Sequence, residues 1–196
     1  MKNFIHFFVA SLVIFGSQAS SAAVLTFDDV PGGSIKGSYG DMPTYQGFTF
    51  SPTLDWIDVE GTEWYYGANS GDFALLNNES GAGMIVDAGT SDFTFDGLYA
   101  KHWGTAPDTD GPDTLFGTLS GYNDGNLVWS LATSLNGSYK YYAAQAGLID
   151  QLRLGFGNLF LVDDLELNAV PVPAAAWLFG SGLIALFGIA RRRSGT

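Results

Sequence analysis

The sequence predicts an all-β fold, an antiparallel β-sandwich of the jelly-roll type, flanked by an N-terminal signal peptide and one C-terminal transmembrane helix. Apolar residues recur at every second position over short runs, as at 127–131, which is typical of half-buried strands. Turn residues separate the runs, and the Asp-Gly pair at 124–125 and the Asn-Gly pair at 136–137 are the strongest hairpin signals. Between the two ends no stretch has the 3.6-residue period of a helix. Many short strands in one chain favour a sandwich.

One β-sandwich domain is predicted over residues 24–168, and its size is usual for a single domain with its own core. The alternating runs and the turns between them predict eleven strands, a number that we expect to be one or two too high. The strands fall near residues 24–27, 47–51, 54–59, 73–77, 84–86, 92–103, 114–121, 126–134, 139–143, 150–155 and 159–168.

Residues 1–23 have the three parts of a secretory signal peptide. Lys2 supplies the positive start, residues 4–16 form the apolar run, and small residues follow at 20–23. Cleavage after Ala22 and cleavage after Ala23 both satisfy the small-residue rule. The peptide implies export through the Sec translocon and processing by signal peptidase.

The C-terminal segment 174–190 carries no charge and is just long enough for a helix across a hydrocarbon core. Because positively charged flanks stay in the cytoplasm, the basic end places the tail inside and the β domain outside the inner membrane. An indole at the headgroup level, glycines common in membrane helices and the basic end support this prediction: Trp177, Gly180, Gly182, Arg191, Arg192 and Arg193.

The short proline motif before this helix is Pro171-Val172-Pro173, and residues 170–183 read VPVPAAAWLFGSGL. With the apolar run and the arginines, this segment resembles the PEP-CTERM sorting signal of Gram-negative bacteria. The resemblance implies an exosortase-like sorting enzyme as partner, and delivery to the cell surface or extracellular matrix of a cell that makes exopolysaccharide. Val172 stands where that family has Glu, so cleavage of the tail remains open.

The charge of the mature domain is strongly acidic. All 20 acidic residues of the chain lie in it, but only Lys36, Lys101, Lys140 and Arg153 are basic, which gives a formal charge of −16. Such a field repels nucleic acid and favours divalent cations. The chain has no cysteine, which excludes disulfides and thiolate metal sites.

Several short segments of the domain carry a second resemblance. They are LTFDD at 25–29, YQGF at 45–48, FDGLY at 95–99, GTLSGY at 117–122 and LVDDLEL at 161–167. They resemble the jelly-roll domains of PEP-CTERM exported proteins, which are similar in outline to carbohydrate-binding modules. The resemblance implies a jelly-roll fold and a location outside the cytoplasm.

Two aspartate pairs are candidate metal ligands, Asp28 with Asp29 and Asp163 with Asp164. The first and last strands of a sandwich often pair, and carboxylate oxygens are the ligands that Ca²⁺ prefers. We therefore expect a structural Ca²⁺ as the cofactor. In the alternative, each pair ends a strand and caps a turn. The acidic loop at 108–113 lacks the ligand spacing of an EF-hand and is interpreted as an ordinary turn.

Two aromatic clusters are candidate ligand-binding surfaces, since sugar rings stack on indole and phenol rings. Neighbouring residues on a strand point to opposite faces, so some of these rings must lie outside the core. Trp56 and Trp129 are assigned to the core instead. The candidate ligand-binding residues are Trp64, Tyr65, Tyr66, Tyr139 and Tyr141.

Two functions of different classes follow. The first is a non-catalytic module that associates with extracellular polysaccharide. The second is a structural matrix or coat component that associates with itself. A glycoside hydrolase built on Asp58, Glu60 and Glu63 is a distant third, because the residue types are swapped relative to laminarinase-type enzymes. His102 has no nucleophile motif beside it, and we predict no enzyme.

Overall fold

The computed structural model of the protein describes residues 23–33, 38–59, 67–79, 84–87, 91–104 and 111–170. The sorting-signal residues 171–193, the predicted transmembrane helix 174–190 within them and residues 1–22 of the predicted signal peptide lie outside these ranges. Three ligand-binding candidates also lie outside them: Trp64, Tyr65 and Tyr66. No helix within the described ranges is long and apolar enough to span a membrane.

All regular structure in the described ranges is β-structure, in twelve strands. Their bounds are Ala23–Leu25 (β1), Tyr39–Asp41 (β2), Thr49–Phe50 (β3), Leu54–Asp58 (β4), Phe73–Asn77 (β5), Met84–Asp87 (β6), Phe93–His102 (β7), Leu115–Asn123 (β8), Asn126–Leu135 (β9), Lys140–Ile149 (β10), Gln151–Gly155 (β11) and Phe160–Ala169 (β12).

The strands form two antiparallel sheets. The seven-stranded sheet has the order β10-β7-β12-β5-β4-β2, with β1 paired to β12, and the five-stranded sheet has the order β3-β6-β11-β8-β9. Strands β5 to β12 thus divide into the groups β5-β12-β7-β10 and β6-β11-β8-β9, which is the arrangement of a jelly roll with two Greek keys. The predicted fold class of the domain, an antiparallel jelly-roll sandwich, is confirmed.

The prediction of eleven strands, expected to be one or two too many, is instead one too few for the described ranges, because it lacks β2. Its sequence, Tyr-Gly-Asp, has no apolar alternation, and it is a short strand at the edge of the sheet paired only with β4 among the described strands. Strand β10 also runs six residues beyond its predicted end at 143. Its second half is rich in Ala and Gly, which have low strand propensity, and pairing with β7 supplies the structure.

The main core lies between the two sheets and is built from the alternate residues of both. Phe27, Phe93, Phe95, Phe156 and Phe160 are among its fully buried side chains. Burial of such rings is the dominant favourable contribution to folding in a chain without disulfides, at about 25 cal/mol per Å² of apolar surface. Trp56 is buried in this core and the partly buried Trp129 packs against it, as the sequence predicts.

The outer face of the seven-stranded sheet has two different halves. Over β4, β5 and the start of β12, the residues between the core positions form a second apolar cluster. Its buried members are Ile57, Ala74, Leu76 and Leu161, and Trp103 and Tyr139 pack against it. Over β10, β7 and the rest of β12 the outer residues include two tyrosines and several carboxylates instead. This second half carries the candidate site.

Candidate functional site

Two tyrosines lie side by side on the outer face of the seven-stranded sheet. Tyr141 of β10 is paired in register with Tyr99 of β7, and their ring centroids are 5.0 Å apart. The Tyr141 side chain is 48% exposed. The next residue, Tyr142, points inward and contacts the ring of Phe156. The prediction that neighbouring tyrosines of this cluster point to opposite faces is therefore confirmed.

Gly97 fixes the position of the Tyr141 ring. A Cβ atom at Gly97 would lie 2.4 Å from the Tyr141 hydroxyl and 2.8 Å from Cζ of the ring, so no other residue type fits without displacing that ring. The hydroxyl donates a hydrogen bond of 3.3 Å to the main-chain carbonyl of Asp96. The ring is thus held against the backbone of a long, paired strand and exposes one side to solvent.

Acidic side chains flank the two rings. Glu166 of β12 is paired in register with Gly97, and the Asp96 carboxylate accepts a hydrogen bond of 3.1 Å from the Thr94 hydroxyl. Partial burial raises the pKa of Tyr141, and the negative charges of Glu166 and Asp96, together with Tyr99, raise it further. We call these residues, Asp96, Gly97, Tyr99, Tyr141 and Glu166, the tyrosine platform.

The sequence did not single out Tyr99 because the alternation of β7 changes phase. Phe93 and Phe95 face the core, and strict alternation would place Tyr99 there too. Both Gly97 and Leu98 are buried, however, so the residues that follow exchange faces and Tyr99 turns outward. The signal that could have found it is Gly97 itself, since a glycine inside a strand often marks such an irregularity.

Asp163 and Asp164 hold the segment before β5. One oxygen of Asp163 accepts hydrogen bonds from the main-chain N–H groups of Asn69 and Ser70, at 2.7 and 2.9 Å. Asp164 accepts from the side chains of the same two residues, at 2.7 and 2.6 Å. Both carboxylates therefore stabilise one turn of the chain, as in the alternative interpretation of the sequence, but they lie within β12 and do not end a strand.

Asp28 and Asp29 contact neighbouring parts of the same region. Asp28 accepts hydrogen bonds from the main-chain N–H groups of Asp72 and Phe73, and Asp29 accepts one from the Tyr45 hydroxyl. The first and last strands do pair, as predicted, through Ala23–Leu25 and β12. Within the described residues, no group of three or more His, Cys, Asp or Glu side chains is placed to hold a metal. The Ca²⁺ site stays a prediction, and these contacts do not by themselves form one.

Asp163 has a strongly shifted pKa. Its side chain is fully buried, and burial raises the pKa from the usual 3.8 to about 7, although the N–H group of Ser70 acts in the opposite direction. Burial, followed by the charges of Asp163 and Asp164, also raises the pKa of Tyr139. The buried carboxyl and the turn that it holds therefore form one pH-sensitive unit.

Tyr139 has a structural environment that differs from that of Tyr141. Its hydroxyl donates a hydrogen bond of 3.0 Å to the carbonyl of Gly67, and the Lys101 ammonium lies 5.5 Å from its ring centre. Its ring packs against the second apolar cluster. These contacts engage Tyr139 within the fold, so its ligand-binding role has no support from an exposed ring and stays a prediction.

The remaining candidates within the described residues also have structural partners. Asp113, at the end of the acidic loop, forms an ion pair with Lys140, and this contact lowers its pKa. Asp58 is fully buried, while Glu60 and Glu63 lie outside the described residues. The His102 ring nitrogen Nδ1 is 2.8 Å from the Thr114 hydroxyl, and burial lowers its pKa. These contacts hold strands and loops together.

Neither a protein-family model nor a curated protein matches this chain. Among solved structures, it is similar to the xylan-binding domain CBM22-1 of Xyn10C from Paenibacillus barcinonensis, with 12% identity and a TM-score of 0.44. That match covers 80% of this chain and 99% of the other. A second match is TmCBM61 in complex with β-1,4-galactotriose, with 13% identity, a TM-score of 0.36, and coverage of 64% and 90%. Both neighbours are carbohydrate-binding modules.

Proposed function

We propose that this protein is a non-catalytic module that binds extracellular polysaccharide through the tyrosine platform. The observation that carries the proposal is the contact between the exposed ring of Tyr141 and the partly buried ring of Tyr99, held on paired strands beside carboxylates. Sugar rings present apolar CH faces that pack on phenol rings, while carboxylates accept hydrogen bonds from sugar hydroxyls. The platform offers both kinds of contact on one surface.

The rigidity of this surface favours binding. Tyr141 is fixed by its contact with Gly97 and by the hydrogen bond to the Asp96 carbonyl, and both tyrosines lie on ten-residue strands. Side chains that are already ordered lose little conformational entropy when a ligand arrives. A preformed aromatic surface is therefore suited to a flexible polymer, whose own ordering already opposes binding.

The location of the module is part of the same proposal. The signal peptide at 1–23 and the PEP-CTERM-like tail at 169–196 would export the β domain and hold it outside the inner membrane, with sorting to the surface or matrix by an exosortase-like enzyme. Polysaccharide is an abundant ligand in that compartment, and a strongly acidic domain does not suit nucleic acid.

The experiment is a calorimetric titration. The full chain, solubilised in a mild detergent, is titrated with exopolysaccharide from the host cell. We expect saturable binding that weakens about tenfold or more in Tyr141→Ala, the effect of losing one well-placed ring. Phe116→Ala is the matched control, because Phe116 is 67% exposed and lies on the five-stranded sheet. Equal affinities of the wild type and Tyr141→Ala would reject the platform as the site.

A structural, self-associating role is the second candidate, and one observation favours it. Leu127 and Leu148 are 56% and 43% exposed, and Val128 of β9 lies within reach of Gly147 of β10. Exposed apolar side chains grouped at one end of a sandwich are typical of contact surfaces between proteins. Sedimentation of the wild type and of Leu127→Ser separates the two functions, since only self-association makes the sedimentation coefficient depend on Leu127.

A further inference from the structure

We propose that the tyrosine platform selects polysaccharides that carry free amino groups, in which unacetylated amino sugars place an ammonium beside Glu166 and Asp96. This inference rests on the proposed function and adds the chemical class of the ligand. Glycans rich in uronic acid are disfavoured at the same surface.

The carboxylates around the platform have the right sign for an ammonium ligand. Glu166 is paired in register with Gly97, whose Cβ position lies 2.4 Å from the Tyr141 hydroxyl, and that hydroxyl donates a hydrogen bond to the main chain of Asp96, so both carboxylates lie on residues next to the exposed ring. Glu166 is partly exposed, and within the described ranges its carboxylate has no hydrogen-bonding or ion-pair partner. A carboxylate that the fold does not use is available to a ligand.

The cationic side chains of the described ranges are engaged elsewhere. Lys140 is paired with Asp113, and the ammonium of Lys101 lies over the ring of Tyr139. Arg153 belongs to the five-stranded sheet, where its guanidinium is 4.0 Å from the ring centre of Tyr122. These cations are committed to other contacts, so the charges that face a ligand at Tyr141 are acidic.

The aromatic rings add a second reason for this preference. A cation near the face of a phenol ring is attracted by the negative charge density of the ring. Tyr141 exposes its ring, and Tyr99 lies beside it. An amino sugar that stacks on these rings thus adds the cation–ring attraction and the ion-pair attraction to the stacking and hydrogen bonds that a neutral sugar also makes.

The test compares three hexasaccharides that share one β-1,4-linked backbone, made of glucosamine, N-acetylglucosamine or glucuronic acid. The full chain in mild detergent is titrated with each by calorimetry at pH 5.5, where the free amines are protonated. We expect the glucosamine hexamer to bind about tenfold more tightly than the acetylated one, and the glucuronic acid hexamer to bind most weakly. The advantage of the amine should shrink in 0.5 M NaCl, because salt screens exposed charges.

Variants locate the charge effect. Glu166→Gln and Asp96→Asn should each lower the ratio of the glucosamine to the N-acetylglucosamine affinity towards one. Asp124→Asn removes an exposed carboxylate in the β8–β9 turn and should keep the wild-type ratio. Equal affinities for the amine and acetyl forms in the wild type would overturn this inference and leave polysaccharide binding standing. Failure of all three hexamers and of the host polysaccharide to bind would overturn both.

Discussion

Gly97 is the residue on which the geometry of the candidate site depends. We expect Gly97→Ala to displace the Tyr141 ring, since the new methyl group would overlap both the hydroxyl and the ring carbon that bears it. Binding of exopolysaccharide should weaken about tenfold, as for loss of one aromatic contact. Calorimetry with the polysaccharide measures the affinity, and the intensity of tyrosine fluorescence reports the changed environment.

Gly111→Ala is the control for this substitution, because a Cβ atom at Gly111 has no atom within 4 Å. Its affinity should equal that of the wild type. An unchanged affinity in Gly97→Ala, measured on a variant with native circular dichroism, would show that the position of Tyr141 does not matter for binding.

Only part of the tyrosine platform could be predicted from the sequence. Alternation separates Tyr141 from Tyr142, since neighbouring residues of a strand point to opposite faces, but it does not say which of the two points outward. In the sequence, Glu166 and Asp96 are ordinary polar residues of strands. They are distinguished only by their positions next to Gly97, Glu166 through strand pairing and Asp96 along the chain, and by their negative charges near the Tyr141 hydroxyl. Register depends on pairing between distant strands, and the sequence of one strand does not contain that information.

At the scale of elements, Asp163 couples β12 to the turn before β5, and this coupling should depend on pH. The folded pKa of about 7 lies above the unfolded value of 3.8, so the folded state binds the proton more tightly. The stability from this group is therefore fully present below about pH 4 and is lost as pH rises through about 7. We expect a decrease on the order of a few kcal/mol in the unfolding free energy across that window.

Urea unfolding at pH 4, 5.5 and 7 measures this dependence. Asp163→Asn should flatten the pH profile, and it should also be less stable at every pH, because the amide NH₂ group cannot accept the hydrogen bonds that both carboxylate oxygens now accept. Asp124→Asn serves as the charge control. If the unfolding free energy of Asp163→Asn changes with pH in parallel with that of the wild type, the pH dependence arises from other carboxyl groups.

Strands β1 and β12 form another pair of elements, and the Ca²⁺ prediction concerns the aspartates in and next to these two strands. Binding would raise the thermal midpoint by mass action, and Asp28→Asn or Asp164→Asn should reduce that increase. Differential scanning calorimetry in millimolar Ca²⁺ and in EGTA tests this expectation. The present contacts of the four aspartates, all with N–H or O–H donors, give each of these carboxylates a structural role without a metal. Identical midpoints in the two buffers would leave them with that role alone.

Most elements follow from short-range pattern, and the exceptions have a common cause. The strands with alternating apolar residues, such as β4, β9 and β12, are predicted within a few residues of their bounds. Strand β2 and the second half of β10 lack that pattern and exist because a neighbouring strand offers unpaired hydrogen-bonding groups. Tertiary pairing decides such segments, and local propensity does not reveal it.

At the scale of the whole molecule, the distribution of charge separates the β domain from the two ends. Four of the eight basic residues lie in the end segments, at Lys2 and at 191–193, and none of the 20 acidic residues does. During export the two ends of such a chain face the cytoplasm while its central domain crosses the membrane. Basic ends and an acidic central domain suit this arrangement. The arginines should therefore set the final orientation.

We expect replacement of Arg191, Arg192 and Arg193 by serine to weaken anchoring, because positive residues after an apolar segment hold it in the membrane with the tail inside. The wild-type β domain should be digested by protease added to spheroplasts, and the protein should remain in the membrane fraction. The triple variant should shift towards the soluble exported fraction, whereas Arg153→Ser, which removes a positive charge within β11, should fractionate as the wild type does. Unchanged fractionation and digestion of the triple variant would mean that the basic end does not hold the protein, and the anchoring part of the proposed function would then be wrong.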